Sequence, residues 1–175
     1  MKYIQRKIGL PLILSIDKSG NIKCYIDASF SVYKDMRSHT CGFMTMGKGG
    51  ANIQSSKQKL NTKNSTEEEL VGVDNVLTQV IWTRYFLKVQ WYDIHGNVVY
   101  QDNLSAIKLE NNCRLSSSKR TIHINIRYYF ITDSITNQEA YVEFCSNIDM
   151  IRDYFTKSLQ GSQLRCFPNI ILGIH

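Results

Sequence analysis

Four acidic residues lie where predicted strands and helices begin or end. Asp27 ends an alternating strand, and Asp102 lies at a strand-to-helix junction. Glu69 lies in the first turn of a predicted helix, and Asp153 lies in a predicted terminal helix. The ends of neighbouring strands lie side by side, so we expect these carboxylates to converge. A divalent cation would relieve their repulsion, and Mg²⁺ prefers oxygen ligands, so the pattern predicts a metal site suited to phosphate chemistry.

Each carboxylate also has a structural interpretation, which the residues themselves leave open. Asp27 could begin a turn, and Asp102 could cap the helix that starts at Asn103. Asp153 could pair with a basic neighbour on a solvated helix face.

The stretch "NSTEEELVGV", residues 64–73, contains three consecutive glutamates that a helical projection places on different sides. Ser65 or Thr66 followed by a glutamate is typical of a capping box at a helix start. At about 100° per residue, Glu68 projects to the side opposite the apolar stripe, whereas Glu69 projects into that stripe. A carboxylate on the packed side must be paired, hydrogen-bonded or bound to a cation. Glu69 is therefore either a satisfied buried acid or a functional one. The stripe consists of Leu70, Val73, Val76, Leu77, Val80 and Ile81.

The order of the predicted elements indicates a mixed sheet flanked by helices. Residues 21–30 alternate as a strand that ends near Asp27, and two shorter strands follow around 42–46 and 52–55. A long helix is predicted from about Ser65 to Lys88. A strand and a helix (97–112), a helical piece (127–135), a strand (139–145) and a terminal helix (147–159) complete the order β-β-β-α-β-α-(α)-β-α.

Composition limits the class of protein. The chain has 175 residues with a formal net charge of +6, which favours a polyanionic partner. No apolar run approaches membrane-spanning length, and no secretory signal is evident, so we expect a soluble intracellular protein. The five cysteines are never spaced as CxxC, which predicts neither a disulfide framework nor a zinc site.

Two polar loops carry the candidate phosphate contacts. One contains Lys57, Lys59 and Lys63, and the other, "SSSKRTIH", contains Lys119 and Arg120. Loops of serine, asparagine, lysine and arginine are typical surfaces for contacts with nucleic-acid phosphates.

Five blocks of the sequence resemble the RNase H domain of reverse transcriptases from copia-type LTR retrotransposons. They are "YIDASFSVYKDMRSHTCGFMTMGKG", "SSKQKLNTKNSTEEELVGVDNVLTQVIWTRYFL", "YQDNLSAIKLENN", "SSKRTIHINIRYYFITD" and "DMIRDYFTKSLQG". The blocks occur in order over roughly residues 12–161. The segment before Asn21 resembles the end of the connection between polymerase and RNase H. Glu68 stands where the family usually has alanine, and Leu104 where it has glutamine.

The resemblance implies an RNase H fold with a five-stranded mixed sheet whose first three strands are antiparallel. It implies a two-metal site in which the family's four carboxylates correspond to Asp27, Glu69, Asp102 and Asp153. The implied cofactor is a pair of Mg²⁺ ions, with Mn²⁺ as a substitute. On this basis residues 1–20 are expected to be a remnant of the connection, 21–160 the RNase H-like domain and 161–175 a C-terminal tail.

The implied activity is endonucleolytic cleavage of the RNA strand of an RNA–DNA hybrid, within a polyprotein that also carries a reverse transcriptase polymerase domain. The resemblance also implies a location in a cytoplasmic particle or the nucleus. A role for His123 in proton transfer or product release competes with a role in capping or packing. The candidates for nucleic-acid contact are Lys57, Gln58, Asn61, Lys119, Arg120 and His123.

Two other functions are consistent with the residues. One is a catalytically inactive module, derived from a retroelement, that binds nucleic acid. The other is an integrase-like nuclease, which would require a catalytic glutamate on a late helix, where this chain has Asp153.

Overall fold

The computed structural model describes residues 9–111, 122–146, 150–151 and 161–174, with the side chains of 122–124 and 161–165 excepted. The strands are β1 (Ser15–Ile16), β2 (Asn21–Ser29), β3 (His39–Thr45), β4 (Gly47–Lys48), β5 (Asn52–Lys57), β6 (Gly96–Gln101) and β7 (Tyr141–Phe144). The helices are α1 (Ser65–Val89), α2 (Leu104–Asn111), α3 (Ile122–Thr136) and α4 (Gly161–Leu172).

Five strands form one mixed sheet in the order β5-β3-β2-β6-β7. Strand β3 pairs antiparallel with both β2 and β5, whereas β2–β6 and β6–β7 are parallel pairs. The predicted fold class, a five-stranded mixed sheet with its first three strands antiparallel, is confirmed. The predicted terminal helix at 147–159 lies almost entirely outside the described residues.

One face of the sheet packs against α1 and α3. Alternation along β2 buries Ile22, Cys24 and Ile26 on this face, as the sequence predicted. The apolar stripe of α1 covers them through residues such as Leu77, and α3 contributes further residues to the same cluster. This packing holds α1 across the sheet.

The opposite face of the sheet packs against α4. Phe43 of β3 is buried in a second cluster with Ile151, Phe167 and Ile171. Segment 161–175, expected to be a tail, therefore contains a helix that covers the sheet.

The short strand β1 was not predicted, and it anchors the segment before the main sheet. It pairs antiparallel with β4, and nearby the Ile13 amide donates to the Leu172 carbonyl at 2.8 Å. Gly49 and Gly173 both have positive φ, and a Cβ on either would collide with the Ile13 carbonyl oxygen. The Ile174 amide donates to the Asn169 carbonyl, as in a Schellman motif that ends a helix. Glycine is therefore needed at both positions that pack against the Ile13 carbonyl.

None of the described helices is both long enough and apolar enough to cross a membrane.

Candidate metal and nucleic-acid site

Strands β2 and β6 bring two of the predicted carboxylates to one edge. Tyr25 and Tyr100 are register partners in this parallel pair, and their rings stack with centroids 4.9 Å apart. Asp27 and Asp102 each follow one of these tyrosines by two residues. Asp27 lies within β2 and therefore shares the face of Tyr25, and Asp102 is the first residue after β6.

The structure argues against the structural interpretations of these aspartates. Asp27 does not begin a turn, because β2 continues to Ser29 and Asp27 pairs with Cys41 of β3. Asp102 does not cap α2, because the Asn103 side-chain oxygen accepts from the amides of Ser105 and Ala106 at 3.0 and 3.2 Å. Capping is thus carried by the neighbouring asparagine.

The start of α1 is capped differently from the prediction. Asn64, rather than Ser65 or Thr66, is the N-cap, and its side-chain oxygen accepts from the Glu67 amide at 2.9 Å. The Glu67 carboxylate in turn accepts from the Lys63 amide at 2.9 Å. This pair closely resembles a capping box with asparagine in place of serine or threonine. The signal was present in the sequence as Asn64 followed three residues later by Glu67.

Close contact between α1 and the sheet sets the position of Glu69. One turn beyond Glu69, the Cα of Gly72 faces Ala28, such that an added Cβ would lie 3.6 Å from the alanine Cβ. Further along, a Cβ on Gly42 would lie 2.9 Å from a methyl carbon of Val76, so β3 has no room for a side chain there. The helix therefore lies directly on β2 and β3, with its first turn at the end of β2.

Three of the four predicted carboxylates converge. One carboxylate oxygen from each of Asp27, Glu69 and Asp102 lies within 4.8 Å of the others. Asp27 and Glu69 are each 5% exposed, and Asp102 is half-buried. An all-oxygen donor set with one side open to solvent suits Mg²⁺, which keeps several of its waters. Converging carboxylates repel one another, and a divalent cation held between them relieves that repulsion, so the residues fit a divalent metal.

Glu68 lies beside this cluster, although the helical projection placed it on the opposite side of α1. It is 1% exposed, and its Oε2 has no hydrogen-bond partner among the described residues. Burial first, and then the charge of Asp27, raise the pKa of Glu68 to about 7. The expectation of an outward-facing Glu68 was wrong because α1 is packed on more than one side near its start. Glu68 was not predicted as part of the site. The only signal in the sequence was that Glu68 stands where similar domains usually have alanine.

Four other predicted residues of the site lie wholly or partly outside the described residues. Asp153, Lys119 and Arg120 fall outside the described residues. The backbone of His123 belongs to the first turn of α3, and its side chain is likewise outside the described set.

Lys57 and Asn61, two of the predicted nucleic-acid contacts, are at the surface. The Lys57 ammonium lies 2.7 Å from the Asp35 carboxylate and 4.7 Å from the centroid of the Tyr33 ring. The Asn61 amide nitrogen donates to the Asp35 carbonyl at 3.5 Å. Both side chains are therefore held near the loop that follows β2.

Gln58, also predicted to contact nucleic acid, is 1% exposed. Its amide nitrogen donates to the Thr40 hydroxyl at 2.9 Å and to the Glu68 carbonyl at 3.0 Å. The prediction is corrected, because a side chain buried between β3 and α1 has no surface to offer a polymer. Gln58 instead joins the loop after β5 to the start of α1.

No protein-family model matches the chain. Individual relatives do. The retrovirus-related Pol polyprotein from transposon TNT 1-94 of Nicotiana tabacum is 28% identical over 155 residues, which are 88% of this chain and 11% of that protein. The corresponding polyprotein from transposon RE1 of Arabidopsis thaliana is 30% identical over 159 residues, again 88% of this chain and 11% of the relative. The chain thus spans about a tenth of the length of these relatives.

Solved structures share the fold. LC11-RNase H1, isolated from compost by a metagenomic approach, matches with a TM-score of 0.53 at 10% identity, over 76% of this chain and 89% of that one. LC11-RNase H1 in complex with an RNA/DNA hybrid matches with a TM-score of 0.51 at 10% identity, over 74% and 88% of the two chains.

At 10% identity, the matches to solved structures show only a shared fold. The matches to the Pol polyproteins, at 28% and 30% identity, indicate common descent. Together they confirm the resemblance predicted from the sequence blocks. The chain is a homologue of a segment of the retrovirus-related Pol polyproteins of transposons, and it has the RNase H-like fold.

Proposed function

We propose that this domain is a metal-dependent endonuclease that cleaves the RNA strand of RNA–DNA hybrids. The observation that carries the proposal is the convergence of Asp27, Glu69 and Asp102 within 4.8 Å at the end of β2. The complex of LC11-RNase H1 with an RNA/DNA hybrid supports the choice of substrate. In a full-length polyprotein the domain would act beside a reverse transcriptase polymerase.

The proposed metal ligands are Asp27, Glu69, Asp102 and Asp153, with Mg²⁺ as the physiological ion and Mn²⁺ as a substitute. When bound, two such ions supply Lewis-acid activation of the attacking water and neutralise charge at the leaving oxygen. The chain's own carboxylates orient this chemistry, because two strand ends and a helix start hold them in place. Burial of Asp27 and Glu69 excludes bulk water and strengthens their electrostatic interactions.

Basic and polar side chains around the cluster are proposed to hold the hybrid. Lys57 and Asn61 would contact the sugar–phosphate backbone beside the site, and Lys119, Arg120 and His123 remain candidates on the other polar loop. RNA would be distinguished from DNA through contacts with 2′-hydroxyl groups across the minor groove.

The decisive experiment measures cleavage of a labelled RNA–DNA hybrid by pure protein in Mg²⁺ and in Mn²⁺. We expect Asp27→Asn to abolish cleavage and to leave hybrid binding largely intact. The matched control is Asp93→Asn, which makes the same change at a side chain that is 91% exposed. Cleavage that persists in Asp27→Asn, or in the absence of divalent metal, would refute the proposal.

The alternative function, a binding module without catalysis, has its own specific motivation. Glu68 places a further buried carboxyl beside Asp27 where similar domains have alanine. Under this alternative the wild-type protein binds the hybrid but cleaves it in neither metal. Absence of cleavage has two possible causes: a site that does not bind metal, and a site that binds metal without catalysis. Mn²⁺ titration followed by thermal unfolding distinguishes them, since a competent metal site raises the melting temperature whether or not hybrid is present.

A further inference from the structure

We propose that Glu68 is an outer carboxylate of the metal site, which accepts a hydrogen bond from a water bound to the divalent ion. This inference rests on the proposed function, because it requires an ion at the cluster of Asp27, Glu69 and Asp102. It assigns a role to a buried acid that the four proposed ligands leave unused. Similar domains usually have alanine at this position and therefore lack such a group.

The packing of α1 directs Glu68 towards the end of the sheet. The Gln58 amide nitrogen donates to the Glu68 carbonyl at 3.0 Å and to the Thr40 hydroxyl at 2.9 Å. Thr40 is the register partner of Ala28 in β2. One helical turn later, a Cβ on Gly72 would lie 3.6 Å from side-chain carbons of both Ala28 and Thr40. Residues four apart share a side of a helix, and side chains lean towards its start, so Glu68 leaves α1 on the side that faces the end of β2.

The Glu68 carboxyl is buried without a partner that offsets its burial. The residue is 1% exposed, and its Oε2 accepts no hydrogen bond from the described residues. Glu68 also forms no ion pair within the described part of the chain. A buried carboxylate is costly unless a cation or a hydrogen-bond donor replaces its hydration.

The metal site is close enough to supply that donor. Besides burial, the charge of Asp27 raises the pKa of Glu68, so the two carboxyls lie within electrostatic range of each other. A cation held by Asp27 would therefore attract the Glu68 carboxylate as well.

Glu68 is outside the group that could hold an ion directly. Among the described residues, that group consists of Asp27, Glu69 and Asp102, whose oxygens lie within 4.8 Å of one another. Mg²⁺ keeps several waters when carboxylates bind it. A carboxylate one water away accepts a hydrogen bond from such a water, and partners of this outer kind change metal affinity by about 10- to 100-fold.

Mn²⁺ titration of the pure protein, without nucleic acid, tests this role. We expect Glu68→Gln, which keeps the shape of the side chain and removes its charge, to weaken Mn²⁺ binding about tenfold. Glu68→Ala should weaken it to a similar extent. The matched control is Glu67→Gln, the same change one residue earlier, at a carboxylate that accepts from the Lys63 amide at 2.9 Å. It should alter Mn²⁺ affinity by less than about twofold, as expected for a charge that salt screens.

Thermal unfolding separates a role at the metal from a purely structural one. Without metal, Glu68→Gln should melt at the wild-type temperature or above it, because the change removes a carboxylate that repels Asp27. In excess Mn²⁺ the variant should gain less in melting temperature than the wild type, because it binds the ion more weakly. A variant that melts lower without metal and binds Mn²⁺ with wild-type affinity would assign Glu68 to the fold alone.

Hexaamminecobalt(III) tests whether the contact runs through a bound water. Its ammonia ligands donate hydrogen bonds but do not exchange, so a carboxylate cannot reach the metal. Glu68→Gln should therefore weaken the binding of this ion as well as that of Mn²⁺. Weakened Mn²⁺ binding with unchanged hexaamminecobalt(III) binding would make Glu68 a direct ligand and overturn its outer role.

Cleavage of the labelled hybrid by the wild-type protein in Mg²⁺ is scored separately. Cleavage together with equal Mn²⁺ affinity in the wild type and Glu68→Gln refutes only the role of Glu68. Weakened Mn²⁺ binding in Glu68→Gln, without cleavage by the wild type, retains that role on a module that binds metal and does not cut. A wild-type protein that binds no Mn²⁺ would refute both proposals.

Discussion

Tyr25 and Tyr100 stack across the parallel strands β2 and β6 at 4.9 Å, two residues before Asp27 and Asp102. The stack links the two strands on the face that carries Asp27. It thereby holds the two backbones in register at the point where both carboxylates must meet.

We expect Tyr100→Ala to lower the free energy of unfolding by about 2 kcal/mol, as expected for exposing a partly buried ring. A double-mutant cycle with Tyr25→Ala should give a coupling of about 0.5–1.5 kcal/mol. Mn²⁺ affinity should fall in Tyr100→Ala and be retained in Tyr100→Phe, which keeps the ring. Unchanged Mn²⁺ affinity in a destabilised but folded Tyr100→Ala would show that the stack does not align the carboxylates.

Gly42 and Gly72 form a matched pair for testing how α1 is seated. A methyl group at Gly42 would press on Val76, so Gly42→Ala should destabilise the fold by about 1–3 kcal/mol and weaken Mn²⁺ binding by shifting Glu69. Gly72→Ala meets only ordinary contacts at 3.6 Å and should be tolerated, with a gain of up to about 1 kcal/mol from helix propensity. Thermal unfolding and Mn²⁺ titration measure both effects. Adding Val76→Ala to Gly42→Ala should restore metal binding, and failure to do so would exclude the clash as the cause.

Glu110 predicts how stability varies with pH. Burial raises its pKa from 4.5 to about 8, and the 3.4 Å hydrogen bond from Gln101 offsets this only in part. The folded state therefore holds a proton that the unfolded state releases, and stability falls as pH rises from about 5 to about 8. The slope attributable to this group is at most about 1.4 kcal/mol per pH unit.

Denaturant unfolding at several pH values checks this dependence. Glu110→Gln should flatten the pH dependence of stability. The stability of the variant relative to the wild type should be higher at pH 8 than at pH 5. Glu68 contributes with the same sign, because its pKa is also raised, so some slope should remain. Glu143→Gln, at an exposed position on β7, is the control. A Glu110→Gln protein with the wild-type slope would show that Glu110 is ionised in the folded state.

Gly173→Ala tests the contact between segment 9–16 and the end of α4. The methyl group would collide with the Ile13 carbonyl, and positive φ adds strain, so we expect a loss of about 1–3 kcal/mol in unfolding free energy. Gly9→Ala is the control, since a Cβ there meets nothing within 4 Å. Equal stability of the two variants would show that segment 9–16 does not fasten α4.

The fold was predictable where a periodic apolar pattern continues over many residues. The stripe of α1 predicted a helix from about Ser65 to Lys88, and the structure has Ser65–Val89, because an apolar face sustained from Leu70 to Ile81, over about three turns, admits few alternatives. The pair β1–β4 was not predictable, since each strand has only two residues and their pairing depends on a contact distant in sequence.

The site was predictable in part, for a related reason. Glu69 was distinguished from the other two glutamates because the helical projection placed its charged side chain on the apolar face of α1. Glu68 was misplaced because a helical projection assumes one packed face, whereas the loop containing Gln58 packs a second side of α1. Asn64 and Asn103 were not predicted as caps, because neighbouring hydroxyl and acidic residues have similar N-cap preference and the sequence alone does not choose among them.

The asparagine caps separate helix initiation from the candidate metal site. The Asn64 and Asn103 side chains accept from backbone amides at the starts of α1 and α2, so a substitution at Glu69 or Asp102 leaves both caps in place. The proposed ligands can therefore be changed without removing the hydrogen bonds that begin either helix.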